Sequence, residues 1–259
     1  MDNRELTPPY ARYLVHLIRP FPNFDAFFIK PLRRRAVQLL QLKPGDRVLD
    51  AGCGPGGSFP YLIDSVGSSG EVVGVEISTE IAINASRRIE KNGWRNVRVI
   101  EADARTVKLE GKFDALLAFA AADIYASPQA LDNLLPYLKG DARVAVFGAK
   151  LTCRSSGAVL NPTLRALWKL SFASTPPVDY EPWAALRQRL DYLQAEEYFF
   201  GCMFLAWGAV VNSHILARVG EEAALRTGRS LFDDSNSRTG TSRQPCSGGL
   251  QSFGTTRYN

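Results

Sequence analysis

Between Arg47 and Gly148, short and nearly continuous apolar runs alternate with stretches whose apolar positions recur every three or four residues. "RVLDAG", "EVVGVEIS", "VRVIEAD", "FDALLAFA" and "ARVAVFGA" read as five strands. Runs apolar at successive positions suit strands covered by helices on both faces, as parallel strands are. The segments between them have helical spacing. "TEIAINASRRIEKNG" has Ser78 or Thr79 to cap its start and Gly93 to end it, and "PQALDNLLPYL" opens on Ser127 and Pro128. Strand and helix in alternation predict βαβ units, hence an α/β fold with a doubly wound, Rossmann-like sheet and helices on both faces.

The alternation fails on either side of this core. Before it, "PLRRRAVQLLQL" has apolar residues at helical spacing and predicts a helix opened by Pro31. After it, residues 151–195 hold two helical stretches around the loop "STPPVDYEP", an insertion long enough to serve as a lid or acceptor pocket. The span from Leu190 to Val211 supplies the last strands, and "YFFGCMFLAWGAVV" within it reads as buried strand. From Gly228 onward Ser, Gly, Thr and Arg dominate without periodicity, which predicts a disordered tail. Three regions are therefore expected: an aromatic and basic N-terminal segment over 1–45, one ligand-binding domain over 46–218, and a low-complexity tail over 219–259.

Composition narrows the class. Of 259 residues, 46% are hydrophobic and 22% charged, the balance of a soluble globular protein. No apolar run approaches the ~20 residues that span a bilayer, and the first residues lack the apolar stretch of a signal peptide, so a cytoplasmic location is expected. Four scattered cysteines and two distant histidines predict no metal site. The net charge of +5 is concentrated early, where residues 1–50 carry nine Lys/Arg against five Asp/Glu. Interleaved with aromatics in "LIRPFPNFDAFFIKPLRRR", that charge reads as a solvated helix face or as a peripheral contact with an anionic membrane. No nucleic-acid motif accompanies it.

The candidate chemistry lies in "VLDAGCGPGGS", Val48 to Ser58. Glycines after a first strand let the backbone turn tightly and approach a ligand. Gly52, Gly54 and Gly57 match the dinucleotide spacing, so a nicotinamide-dependent oxidoreductase is one reading. Asp50 argues against it, because an acid beside the loop repels a pyrophosphate and suits an ammonium or sulfonium. Glu76 ends the second strand, where a carboxylate accepts hydrogen bonds from ribose hydroxyls. Asp103 ends the third, where it could accept from an adenine amine.

"VLDAGCGPGG", "VVGVEIS", "IEADA" and "FDALLAFAAAD", in that order, resemble class I S-adenosylmethionine-dependent methyltransferases. The resemblance is close over about 30–150 and loose over 151–211. It implies about seven strands with the last antiparallel, S-adenosyl-L-methionine as methyl donor, and transfer by in-line displacement. It further implies that Gly52, Cys53, Gly54 and Gly56 line the methionine part, with Asp50 near its ammonium. Glu76 would hold the ribose, Ile77 would pack on the adenine, and Asp103 with Ala104 would read its edge. Phe119 and Ala120 would sit beside the methionine moiety. No side chain stands out as a general base among Asp123, Tyr125, Lys150, Asp179, Tyr180 and Glu181. The expected acceptor is a small hydrophobic or amine- or hydroxyl-bearing molecule, a lipid or quinone among them. A protein that binds the donor without turnover is the further alternative.

Overall fold

The computed structural model describes residues 29–151, 158, 159, 161, 162 and 181–210, together with the backbone of 256–258. The elements run α1 (Ile29–Leu39), β1 (Arg47–Ala51), α2 (Phe59–Val66), β2 (Glu71–Glu76), α3 (Thr79–Asn92), β3 (Val97–Glu101) and β4 (Phe113–Phe119). They continue with α4 (Ala122–Tyr125), α5 (Pro128–Leu134), β5 (Leu138–Ala149), α6 (Ala184–Arg187), β6 (Tyr192–Tyr198), β7 (Met203–Ala209) and β8 (Thr256–Tyr258).

One sheet holds all the strands, in the order β3-β2-β1-β4-β5-β7-β6-β8. Strands β1 to β5 pair in parallel, and β7 runs antiparallel between β5 and β6. The seven expected strands are present with the last antiparallel. An eighth, three residues long, pairs antiparallel with β6 at the edge. Those three residues fall in the tail for which composition predicted disorder, and the rest of the tail lies outside the described residues.

Each strand sends alternate side chains to opposite faces, and both faces are apolar. Along β1, Val48 belongs to the apolar cluster that holds Ala36 and Val37 of α1 and Leu62 of α2, while Leu49 belongs to the cluster on the other face, with Ile124, Leu131 and Trp183. This two-sided burial is the reason the strands read as continuous apolar runs. Caps fall where the sequence placed them. The Ser127 hydroxyl accepts from the Ala130 N–H, and Gly93 ends α3 in a left-handed conformation. Ser78 occupies the cap of α3 without a side-chain hydrogen bond.

One expectation changes. "YFFGCMFLAWGAVV" is not a single buried strand but the end of β6, a turn, and β7. Phe199 and Phe200 both take positive φ, 50° and 60°, and stand exposed at the tip. Two consecutive left-handed residues reverse the chain where aromatic side chains gave no turn signal.

Candidate active site

The direction of the chain fixes where a ligand can lie. From β1 it proceeds to β2 and β3 on one side, then crosses to β4 on the other. The crevice between the carboxyl ends of β1 and β4 is the switch point at which open α/β sheets bind ligands.

The glycine loop lies across that crevice. Gly52, Gly54 and Gly56 take φ of 68°, 57° and 77°, values costly for any residue with a Cβ. At Gly52 a Cβ would lie 2.6 Å from the Cβ of Ala121, and at Gly56 2.5 Å from the Phe59 ring. At Gly54 nothing lies within 4 Å of a Cβ position, so this glycine borders open space. The Gly52 and Cys53 N–H groups both donate to the Val75 carbonyl, tying the loop to β2. Cys53 is buried with its sulfur against Gly74, and burial pushes its thiol well up, so it serves packing rather than nucleophilic chemistry.

Asp50 is fully buried, and neither of its oxygens accepts a hydrogen bond. Burial raises its carboxyl to about 7, against the opposing pull of the Arg33 guanidinium and of the neighbouring Ser58 hydroxyl, which stands close without meeting the geometry of a hydrogen bond, and with a further upward push from Glu76. A buried carboxylate without a hydrogen bond is costly, and it is the group in this site most in need of a cationic partner.

Glu76 ends β2 almost fully buried. Its Oε2 accepts from the Gly54 N–H at 3.1 Å and its Oε1 from the Ser78 N–H at 2.9 Å. Burial raises its carboxyl, and these backbone donors oppose the rise. The carboxylate is thus pinned at the border of the loop with lone pairs to spare. Ile77 follows it and is 41% exposed, an apolar side chain left uncovered beside a polar site.

Asp103 sits beyond the end of β3, tied to its neighbour. Both oxygens accept from the Arg105 guanidinium at 2.5–2.9 Å, and one also accepts from the Arg105 N–H at 2.9 Å. These bonds hold the carboxyl below its ordinary range. An adenine amine would share Asp103 with Arg105. Ala104 beside it is buried. At the end of β4, Phe119 is buried and stacks on Phe147 at 4.3 Å, and Ala120 is exposed with φ of 62°. That strained alanine is anchored by its N–H on the Phe147 carbonyl.

The structure brings Asp50, the glycines, Glu76, Ile77, Asp103, Phe119 and Ala120 to the carboxyl ends of the parallel strands, and it sorts the general-base candidates. Tyr125 is buried edge-on against Phe204. Lys150 pairs with Glu197 at 2.5 Å and lies 5.4 Å from the Trp183 ring centre, while Glu181 pairs with Arg187. Asp179 and Tyr180 lie outside the described residues. Asp123 is open to solvent but set among protein groups, and its desolvation, with the charge of Asp103, raises its carboxyl. Its charge also pushes Glu76 upward.

Arg33 is the residue sequence reading missed. Within "RRR" it looked like part of a solvated face, yet it is buried while Arg34 and Arg35 are exposed. The signal was its phase, since Ile29, Leu32, Arg33, Ala36 and Val37 form one helical stripe. Its guanidinium donates to the Ser58 hydroxyl at 2.8 Å and lies 4.1 Å over the Phe119 ring. Among the described residues no group of three potential metal ligands occurs, and no helix is long and apolar enough to cross a membrane.

Comparison with known proteins agrees with this geometry. Residues 30–136 match the family model of protein-L-isoaspartate(D-aspartate) O-methyltransferase. A protein-L-isoaspartate O-methyltransferase of Pyrobaculum neutrophilum is 34% identical over 126 residues, which cover 47% of this chain and 61% of that one. The chain thus spans less than two thirds of that relative. A demethylmenaquinone methyltransferase of Staphylococcus saprophyticus is 25% identical over 66% of this chain and 70% of its own. In fold, a SAM-dependent methyltransferase from Aquifex aeolicus superposes with a TM-score of 0.54 at 21% identity, over 82% of this chain and all of that one. The chain belongs to the class I S-adenosylmethionine-dependent methyltransferases. The donor of this class is S-adenosyl-L-methionine, a sulfonium amino acid joined to adenosine. The residues present are compatible with it: a buried carboxylate at Asp50, an open face at Gly54, a pinned carboxylate at Glu76 and an exposed apolar side chain at Ile77.

Proposed function

We propose that this chain transfers a methyl group from S-adenosylmethionine to a small, largely apolar acceptor that presents a hydroxyl, amine or activated carbon. The observation that carries the reading is Asp50, a buried carboxylate without a hydrogen bond directly behind a glycine loop that borders open space. A dinucleotide pyrophosphate would be repelled there, whereas an ammonium beside a sulfonium would be drawn in.

The donor supplies a methyl carbon already activated by its sulfonium, ready for in-line displacement by the acceptor. The residues then have to bind, align and exclude water. Glu76 takes the ribose hydroxyls, Ile77 covers one face of the adenine, and Asp103 with Ala104 meets its edge. Gly52, Cys53, Gly54 and Gly56 give the methionine part a wall of backbone, with Phe119 and Ala120 opposite. Alignment of this kind is worth ~7–11 kcal/mol of barrier. Where the acceptor arrives protonated, Asp123 is the group at the crevice mouth best placed to take its proton.

Residues 46–218 form the donor domain on this reading, with 151–195 shaping the acceptor side. A quinone-like acceptor is supported by the similarity to a demethylmenaquinone methyltransferase. An anionic surface contact is supported by a groove of about 490 Å³ between α1 and α2, where Lys30, Arg34 and Arg88 face a single acid, Asp64. The second reading, methylation of an isoaspartyl carboxylate, is favoured by the family model over 30–136.

The test is transfer of labelled methyl from S-adenosylmethionine to a panel holding a demethylated naphthoquinone, phenolic and amine metabolites, and an isoaspartyl peptide. Turnover of an apolar member supports the proposal. Turnover of the peptide alone favours the second reading. Sedimentation with phosphatidylglycerol vesicles, compared with phosphatidylcholine, tests the surface contact.

A further inference from the structure

Phe199 and Phe200 build the β6–β7 turn from a residue type that resists it. Both take left-handed φ, 50° and 60°, where a residue with a Cβ is strained and glycine or asparagine is usual. The turn is nonetheless firm. The Gly201 N–H donates to the Tyr198 carbonyl at 3.1 Å, and the Cys202 N–H to the Phe199 carbonyl at 3.2 Å. It leaves the two phenylalanines 44% and 60% exposed. Adjacent aromatics left in water on a strained turn are a cost the fold does not need, and exposed apolar surface of this kind marks a place of contact.

Topology sets where this tip lies. Strand β7 is antiparallel to both β5 and β6, so β6 runs with the parallel strands. Its turn therefore falls at their carboxyl ends, the end that holds the crevice. The tip stands four strand spacings from β1, roughly 19 Å at ~4.8 Å each. The first half of α1 reaches the same end, since Arg33 touches Ser58 and lies over Phe119, the last residue of β4. Lys30 and Arg34 in that half are exposed, and among the described residues neither pairs with a carboxylate. Arg35 ties α1 to the hairpin through Glu196, three residues before the tip, and Glu197 is answered by Lys150. The acids beside the tip are thus matched within the fold, while Lys30 and Arg34 are not.

An apolar tip on the same end as unmatched cations complements a bilayer with anionic headgroups, where aromatic rings enter the interface and basic side chains meet phosphates. We infer that the Phe199–Phe200 turn is an insertion tip which, with Lys30 and Arg34, docks the carboxyl end of the sheet on an anionic lipid bilayer. The crevice then opens toward the lipid, from which an apolar acceptor enters. This rests on the reading of an anionic surface contact, and adds the segment that inserts and the end of the sheet that faces the lipid.

The test uses the full chain with vesicles of phosphatidylglycerol or phosphatidylcholine. The wild-type protein should sediment with phosphatidylglycerol. Phe199→Ser combined with Phe200→Ser should weaken that binding about 10–100-fold, the worth of the apolar surface no longer withdrawn from water. Lys30→Gln combined with Arg34→Gln should weaken it about 30-fold, the strength of two basic groups near an anionic surface, and leave phosphatidylcholine unaffected. Phe200→Trp should add fluorescence that brominated phosphatidylglycerol quenches beyond the wild-type level. The serine variant should melt no lower than wild type and bind S-adenosylhomocysteine equally, which separates docking from general damage. Undiminished vesicle binding by the serine variant, or no added quenching with the tryptophan, would overturn the proposal. So would self-association in sedimentation velocity that the serine variant abolishes, which would assign the tip to a second copy of the chain. A wild-type protein that binds neither vesicle would overturn the surface-contact reading itself.

Discussion

Asp50→Asn should make the protein more stable and less able to bind its donor, and the stability gain should depend on pH. In the folded protein the Asp50 carboxyl ionises at about 7, against 3.8 for an ordinary aspartate. The folded state holds that proton more tightly than the unfolded chain, so the group costs stability as pH rises from about 4 to about 7, and the full cost stands above 7. A shift of this size is worth up to about 4 kcal/mol, at roughly 1.4 kcal/mol per pH unit. Asparagine has nearly the same shape and no charge to desolvate. Urea denaturation should therefore show Asp50→Asn ahead of wild type by about 2–4 kcal/mol at pH 8, and by about 2 kcal/mol less at pH 5. At pH 8 the same variant should bind S-adenosylhomocysteine about 10–100-fold more weakly, through loss of the partner to its ammonium. Stability and affinity moving in opposite directions separates this effect from general damage. A variant no more stable than wild type at pH 8, or with a pH-independent gain, would refute the reasoning.

Glu76→Ala should weaken S-adenosylhomocysteine by ~1–3 kcal/mol in calorimetry, because both the ribose acceptor and the anchor on the Gly54 N–H are lost. Gly54→Val should abolish donor binding, since a β-branched side chain would stand in the open face of the loop at φ of 57°. Binding of S-adenosylhomocysteine near neutral pH should release protons, because the ammonium lowers the Asp50 carboxyl; calorimetry in buffers of different ionisation enthalpy reads the number, and none released counts against Asp50. Truncation after Gly228 should leave donor affinity unchanged, as β8 pairs with β6 at the edge remote from β1.

The sheet was legible because the central strands β1, β2, β4 and β5 are apolar on both faces, and because Gly93 and Ser127 mark helix ends in ways local chemistry dictates. The candidate site was legible where it depends on strand ends, since "VLDAGCG", "VVGVE" and "EAD" each deliver a residue to the carboxyl end of the sheet. Arg33 was not, although its helical phase was available, because three consecutive arginines read as solvent-facing until a neighbouring loop closes over one of them. Nor was the clasp of Asp103 by Arg105, a side-chain choice that strand spacing leaves open. The Phe199–Phe200 turn was hidden for a different reason. Left-handed backbone is ordinarily announced by Gly or Asn, and here two aromatics adopt it.

The most direct measurement is calorimetry of the purified chain with S-adenosylhomocysteine, with reduced nicotinamide dinucleotide run in parallel. Binding of S-adenosylhomocysteine alone, lost in Glu76→Ala, is the predicted result. Binding of the dinucleotide alone would contradict the assignment of Asp50 and the glycine loop to a sulfonium amino acid.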